Sequence, residues 1–154
     1  MSAVLKAPLA QRAIVLRTRG QRHGPITRLV SPSDIGEIIK PFVFLDLFDI
    51  SASKAPNFGW HPHSGIATLT LLHEGSIEYQ ETTGVKGILP AGGVEWMRAG
   101  AGVWHTGTAF QRAKGFQLWV ALPEACSATI RMIKRVNQDG KFLAGQILEL
   151  SHRI

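Results

Sequence analysis

Cysteine is nearly absent from the chain. A single Cys126 among 154 residues excludes an internal disulfide and any zinc site built on thiolates. Long apolar runs are missing too. Stretches such as Phe42 to Leu45 fall far short of the ~20 residues that a membrane helix needs. Helical periodicity is scarce: only residues 34–39, with Ser33 as the expected N-cap, read as a helix. No serine sits in a nucleophile elbow, Cys126 has no evident catalytic partner, and Gly100-Ala-Gly102 lacks the spacing and lysine of a phosphate loop. With 45% hydrophobic and 18% charged residues, the chain is one globular domain rather than a membrane protein, disulfide scaffold, coiled coil or disordered polymer.

Acidic residues are missing from one region only. Residues 1–28 carry six basic side chains and no acid, whereas the other 126 residues balance 11 basic against 11 acidic. The net charge of +6 is therefore local. Such an N-terminus suits a transit peptide or a phosphate-binding arm. However, the alternation through Ile14 and Leu16 favours a strand over 13–19 whose arginines protect a sheet edge. Direct nucleic-acid binding is not expected, nor is membrane association. The cytoplasm is the default compartment.

Glycine and proline, 16 and 8 in number, punctuate the chain at intervals that suit short strands. Strands are predicted over 13–19, 27–30, 42–49, 65–74, 76–82, 86–89, 94–98, 103–108 and 116–121. The run from Ile66 to Glu74 is apolar and β-branched enough for burial on both faces or nearly so. Ser76 to Glu81 alternates, and Gly75 between the two runs suggests an antiparallel hairpin. The fold class is all-β, with enough strands for a barrel or sandwich. Residues 125–154 contain the Asn137–Gly140 turn and a further candidate strand near 147–150, and either docking on the core or fraying suits them.

Three of six histidines stand out. His61-Pro62-His63 places two imidazoles at i and i+2, on one face of an extended chain. Neutral imidazole is a common ligand for zinc, iron, nickel and copper. His105 follows a glycine-rich approach, on a strand that an antiparallel fold can bring alongside. His73 shares their parity but lies far along its strand, so a structural role is expected. His23 and His152 are expected in solvent.

Four ordered blocks carry a resemblance. Pro41-Phe-Val-Phe-Leu-Asp-Leu-Phe-Asp49, His61-Pro-His-Ser-Gly65, Gly92-Gly-Val-Glu-Trp-Met-Arg-Ala-Gly-Ala-Gly-Val-Trp-His105 and Gly115-Phe-Gln-Leu-Trp-Val-Ala-Leu-Pro123 resemble the pirin family of the cupin superfamily. The resemblance implies a jelly-roll-like antiparallel β-barrel, an N-terminal cupin over 12–124, and a divergent segment over 125–154 without a full second cupin. Full pirins carry two such barrels, so the chain is expected to be a single-barrel member or a truncated product, with a homodimer covering the surface that the second barrel would occupy.

The same resemblance places His61, His63 and His105 at metal-ligand positions and implies a divalent metal, iron first, with zinc, nickel, manganese or copper as alternatives. The chain departs from the family at two places. Gly107 stands where the family's His-x-Glu motif supplies a fourth ligand, and Ala67 stands where a further Glu is usual. A weak or empty site is the direct expectation, because three imidazoles leave the ion's charge uncompensated. Glu74, Glu78 and Glu95 lie near in sequence without an evident claim to the vacancy. The resemblance implies metal-dependent binding or regulation through a protein partner. The alternatives are a quercetin 2,3-dioxygenase-like oxygenase with a small aromatic substrate, and a degenerate cupin without metal. Enzymatic activity stays open at this point.

Overall fold

A computed structural model describes residues 13–51, 58–127 and 130–149. Its elements are β1 (Gln21–His23), β2 (Ile26–Val30), α1 (Ile35–Ile38), β3 (Phe42–Ile50), β4 (His61–His63), β5 (Ile66–Glu74), β6 (Ser76–Glu81) and β7 (Lys86–Pro90). There follow β8 (Val94–Ala99), β9 (Val103–Thr108), β10 (Ala113–Ala121), α2 (Glu124–Ser127), β11 (Ile130–Val136) and β12 (Phe142–Glu149). The strands form an eight-stranded sheet ordered β1-β2-β3-β10-β5-β8-β11-β12 and a four-stranded sheet ordered β4-β9-β6-β7. The fold is all-β and antiparallel, as expected. The two sheets face each other without joining their edge strands into a closed barrel. No helix among the described residues is long and apolar enough to cross a membrane.

Alternation along β3 shows why the sheets pack. Phe44, Asp46, Phe48 and Ile50 are buried, while their odd-numbered neighbours are half-buried or exposed. Phe48, Ile50, Leu72 and Ala113 from the large sheet meet Tyr79 and Leu89 from the small one, forming the main core cluster. Burying each large apolar side chain there contributes roughly 1.5–3 kcal/mol. Phe44 and Trp119 stack with ring centroids 4.0 Å apart, which ties β3 to β10 on the inner face.

Several expectations are corrected. Gly75 does not close a hairpin: β5 belongs to the large sheet and β6 to the small one. Gly75 carries the chain from sheet to sheet at φ +82°, and a Cβ there would overlap the Arg112 carbonyl oxygen. β6 instead forms its hairpin with β7. No strand forms over 13–19, and Ile14, Val15 and Leu16 are exposed. Alternation there lacks a partner, and the edge is instead the three-residue β1, short as unprotected edges usually are. The helix cap is Asp34, not Ser33; its carboxylate accepts from the Ile35 N–H and from the Ser31 N–H. In β5 burial on both faces holds only at Ala67 and Thr68, since Leu71 and His73 are exposed. The segment after 125 docks: β11 pairs with β8 from Arg131↔Ala99 to Val136↔Val94. Residues 150–154, His152 among them, lie outside the described residues.

Candidate metal centre

Sheet register decides where the histidines meet. On β4, His61 and His63 project to one side because side chains alternate. β4 pairs with β9 so that His61 stands opposite His105 and His63 opposite Val103. The His61 and His105 rings are 4.4 Å apart, His63 and His105 4.9 Å, and His61 and His63 5.1 Å between centroids. One nitrogen from each lies within 4.8 Å of the others. A tetrahedral ion with metal–nitrogen distances of ~2.0–2.1 Å requires a modest inward rotation of such rings.

The hydrogen bonds select the nitrogens. His61 Nδ1 lies 2.9 Å from the Gly59 carbonyl oxygen, so Nδ1 carries the proton and donates, leaving the Nε2 lone pair free. His63 Nε2 and His105 Nε2 are buried without any hydrogen-bond partner. Orphaned buried nitrogens are uncommon unless a ligand claims them. Burial, reinforced by the neighbouring His61 charge, pulls the His63 imidazole down to about 4. Burial pulls His105 down to about 3, with His61, His63 and Arg135 adding repulsion. Both rings are therefore neutral at pH 7, the form a metal needs. The Thr106 hydroxyl donates to the Phe58 carbonyl oxygen at 2.9 Å, which fastens β9 to the approach to β4.

A cavity of about 460 Å³ opens beside His61 and His105. Phe48, Ile77 and Leu89 give it apolar walls, while Asp46, Glu95 and Gln117 supply polar groups. Asp46 is held by Arg28 through two hydrogen bonds, at 2.5 and 3.2 Å, and the Arg28 guanidinium lies 4.1 Å from the Phe44 ring centroid. Gly107 also lines this space, where a Cβ would meet only Ile77 Cγ2, at 3.3 Å. The missing side chain thus widens the cavity at the imidazoles.

The other sequence candidates scatter. His73 is exposed, 3.9 Å from Glu74, and Glu74 pairs with Arg112 at the surface. Glu78 is exposed. His23 is exposed but borders the cavity. Glu95 is buried and lines the cavity. Sequence reasoning missed Glu81 and Arg135, both buried within this region. The alternation of β6, with Tyr79 and Glu81 inward, carries a signal for Glu81. None exists for Arg135, which a distant strand delivers.

A pirin family profile matches residues 25–120. The chain belongs to the pirin family. It is 38% identical over 103 residues to a pirin-like protein of Caulobacter vibrioides, covering 64% of this chain and 37% of that protein. A pirin-like protein of Solanum lycopersicum is 34% identical over 127 residues, with 79% and 42% covered. Among solved structures, a quercetin 2,3-dioxygenase from Acinetobacter baumannii superposes with a TM-score of 0.66 at 27% identity, covering 74% of this chain and 43% of that one. The Escherichia coli bacterial pirin YhhW, solved in complex with nickel(II), gives 0.61 at 27% identity, with 74% and 52% covered. This pirin-family chain spans about two fifths of the length of those curated relatives. The three-imidazole donor set fits a divalent transition metal.

Proposed function

We propose that the protein binds a divalent transition metal through Nε2 of His61, His63 and His105 and acts on a small aromatic substrate in the adjoining cavity, with chemistry like that of the quercetin 2,3-dioxygenases. The observation that carries this reading is the roughly 460 Å³ space walled on one side by two of the imidazoles, within the range of small-molecule sites. Phe48, Ile77 and Leu89 offer flat apolar contact to an aromatic ring, and Gln117 offers a donor and an acceptor to orient its oxygens. Gly107 leaves room for substrate oxygen against the imidazoles. A bound ion would supply Lewis-acid and redox chemistry toward a flavonol oxygen and O₂. Iron, suggested by the resemblance, and nickel, present in the YhhW structure, are the first ions to load. A cytoplasmic location fits the lone cysteine.

A second reading rests on a different observation. Trp60 and Trp104, 47% and 50% exposed, flank His61 and His105 in sequence, and exposed tryptophans are favoured anchors for protein partners. Metal occupancy would then adjust a binding surface, with a protein or a second copy of the chain as its partner.

Elemental analysis of protein purified without chelator tests both readings, with His105→Ala as control. Near-stoichiometric metal, lost in the control, is the expected result. No metal after incubation with iron, nickel and zinc would overturn both. Protein loaded with each ion should then consume a flavonol together with O₂; intact flavonol under every ion would remove the oxygenase and leave metal-dependent partner binding.

A further inference from the structure

A divalent ion among three neutral imidazoles in a buried site lacks a compensating negative charge, and position 107 offers no side chain to provide one. Register places a carboxylate beside the site. Across β6 and β9, Glu81 stands directly opposite His105, and β4 sets His61 on the other side of His105. His61, His105 and Glu81 therefore form one row across three adjacent strands. The Thr82 N–H donates to the Trp104 carbonyl oxygen at 3.0 Å, and hydrogen-bonded and non-hydrogen-bonded pairs alternate along such a ladder. Glu81 and His105 consequently form a non-hydrogen-bonded pair, the arrangement that brings side chains closest.

Glu81 is 2% exposed. Its Oε1 accepts from Arg135 Nη1 at 2.9 Å, while its Oε2 is buried without a partner. Arg135, 1% exposed, also donates from Nε to Glu95 Oε2 at 2.5 Å and rests 3.5 Å from the Tyr79 ring centroid. One guanidinium thus faces two carboxylates, and Glu81 Oε2 is the oxygen left without a donor. A network with one acceptor unfilled is costly unless something completes it. The completing group must be a donor or a cation, and the orphaned Nε2 atoms of His63 and His105 call for a cation in the same region.

We propose that Glu81 is the supporting carboxylate of the metal centre: from β6, beside His105 but outside the three-imidazole ligand group, it supplies nearby the negative charge that position 107 does not, with Arg135 holding its other oxygen in place. The assignment rests on the three-histidine reading above. Arg135 comes from β11, beyond the matched span of 25–120, so this support belongs to the part of the chain outside the family match.

The test is titration of the full chain with cobalt(II) or nickel(II) in competition with a chromophoric chelator, for wild type, Glu81→Gln, Glu95→Gln and Glu81→Asp. Each Gln variant leaves Arg135 with one carboxylate partner, which keeps the folding cost comparable. Glu81→Gln should weaken binding 10–100-fold, the usual effect of losing a metal-supporting carboxylate, and alter the cobalt(II) visible spectrum. Glu95→Gln should change affinity by less than about threefold, and Glu81→Asp should recover part of the loss. Metal-free melting temperatures report folding separately, and the metal-induced rise in melting temperature should shrink only in Glu81→Gln. Unchanged affinity in Glu81→Gln, or equal losses in both Gln variants, overturns the assignment of Glu81 while the histidine site stands. Failure of the wild type to bind either ion overturns both.

Discussion

Lowering the pH from 7 to 5 should cost the metal-free protein about 4 kcal/mol of stability through His63 and His105 alone. In the folded chain burial holds these imidazoles at about 4 and about 3; unfolded, each returns to the ordinary 6.5. Below pH 6.5 the unfolded chain takes up protons that the folded chain refuses, so the equilibrium moves toward unfolding. The loss continues until the pH falls through about 4 for His63 and about 3 for His105. Between pH 7 and 5 each ring contributes roughly 2 kcal/mol, almost independently of its folded value as long as that lies well below 5. Against a typical total of about 5–15 kcal/mol, the effect is large. Urea unfolding at pH 7, 6 and 5 with chelator present measures it, with His63→Gln and His105→Gln in the same buffers. Each variant should lose about 2 kcal/mol less than the wild type over that range. A flat wild-type profile, or variants that lose as much as the wild type, would refute the view that these rings are buried and neutral.

Other outcomes follow from named contacts. Gly107→Glu should tighten cobalt(II) or nickel(II) binding by at least about tenfold, because Gly107 needs no left-handed backbone and a new Cβ meets only Ile77 Cγ2 at 3.3 Å; equal or weaker binding in a chelator competition would contradict it. Gly75→Ala should destabilise by more than about 2 kcal/mol in urea, since φ is +82° and the Arg112 carbonyl occupies the Cβ position. Leu72→Ala should cost about 2–5 kcal/mol by the same assay, because Leu72 is fully buried where the two sheets meet.

Much of the fold and half of the site were legible locally. The period-2 pattern of Phe42–Ile50 and the β-branched run from Ile66 announce strands, because alternation is a property of one strand by itself. His61 and His63 share a face for the same reason. The Gly75 hairpin was misread because a glycine in a positive-φ turn looks alike whether the chain folds back on itself or steps to the facing sheet; only the carbonyl of Arg112, 37 residues further on, distinguishes them. The strand expected over 13–19 failed because alternation is not pairing. Glu74, Glu78 and Glu95 could not be ranked and Glu81 was passed over, because closeness in sequence says nothing of the face and sheet that each carboxylate occupies.

By itself, then, the sequence determined an all-β chain of the pirin family, a pair of imidazoles on one extended face, and a glycine where the resemblance implies a carboxylate. Tertiary structure alone decided that His105 stands opposite His61, that Glu81 stands opposite His105, and that Arg135 reaches Glu81 and Glu95 from β11. The physical reason is that strand pairing uses backbone groups every residue shares. Which strands become neighbours, and in which register, is settled by burying the two sheets' inner faces against each other, a condition that no single segment contains.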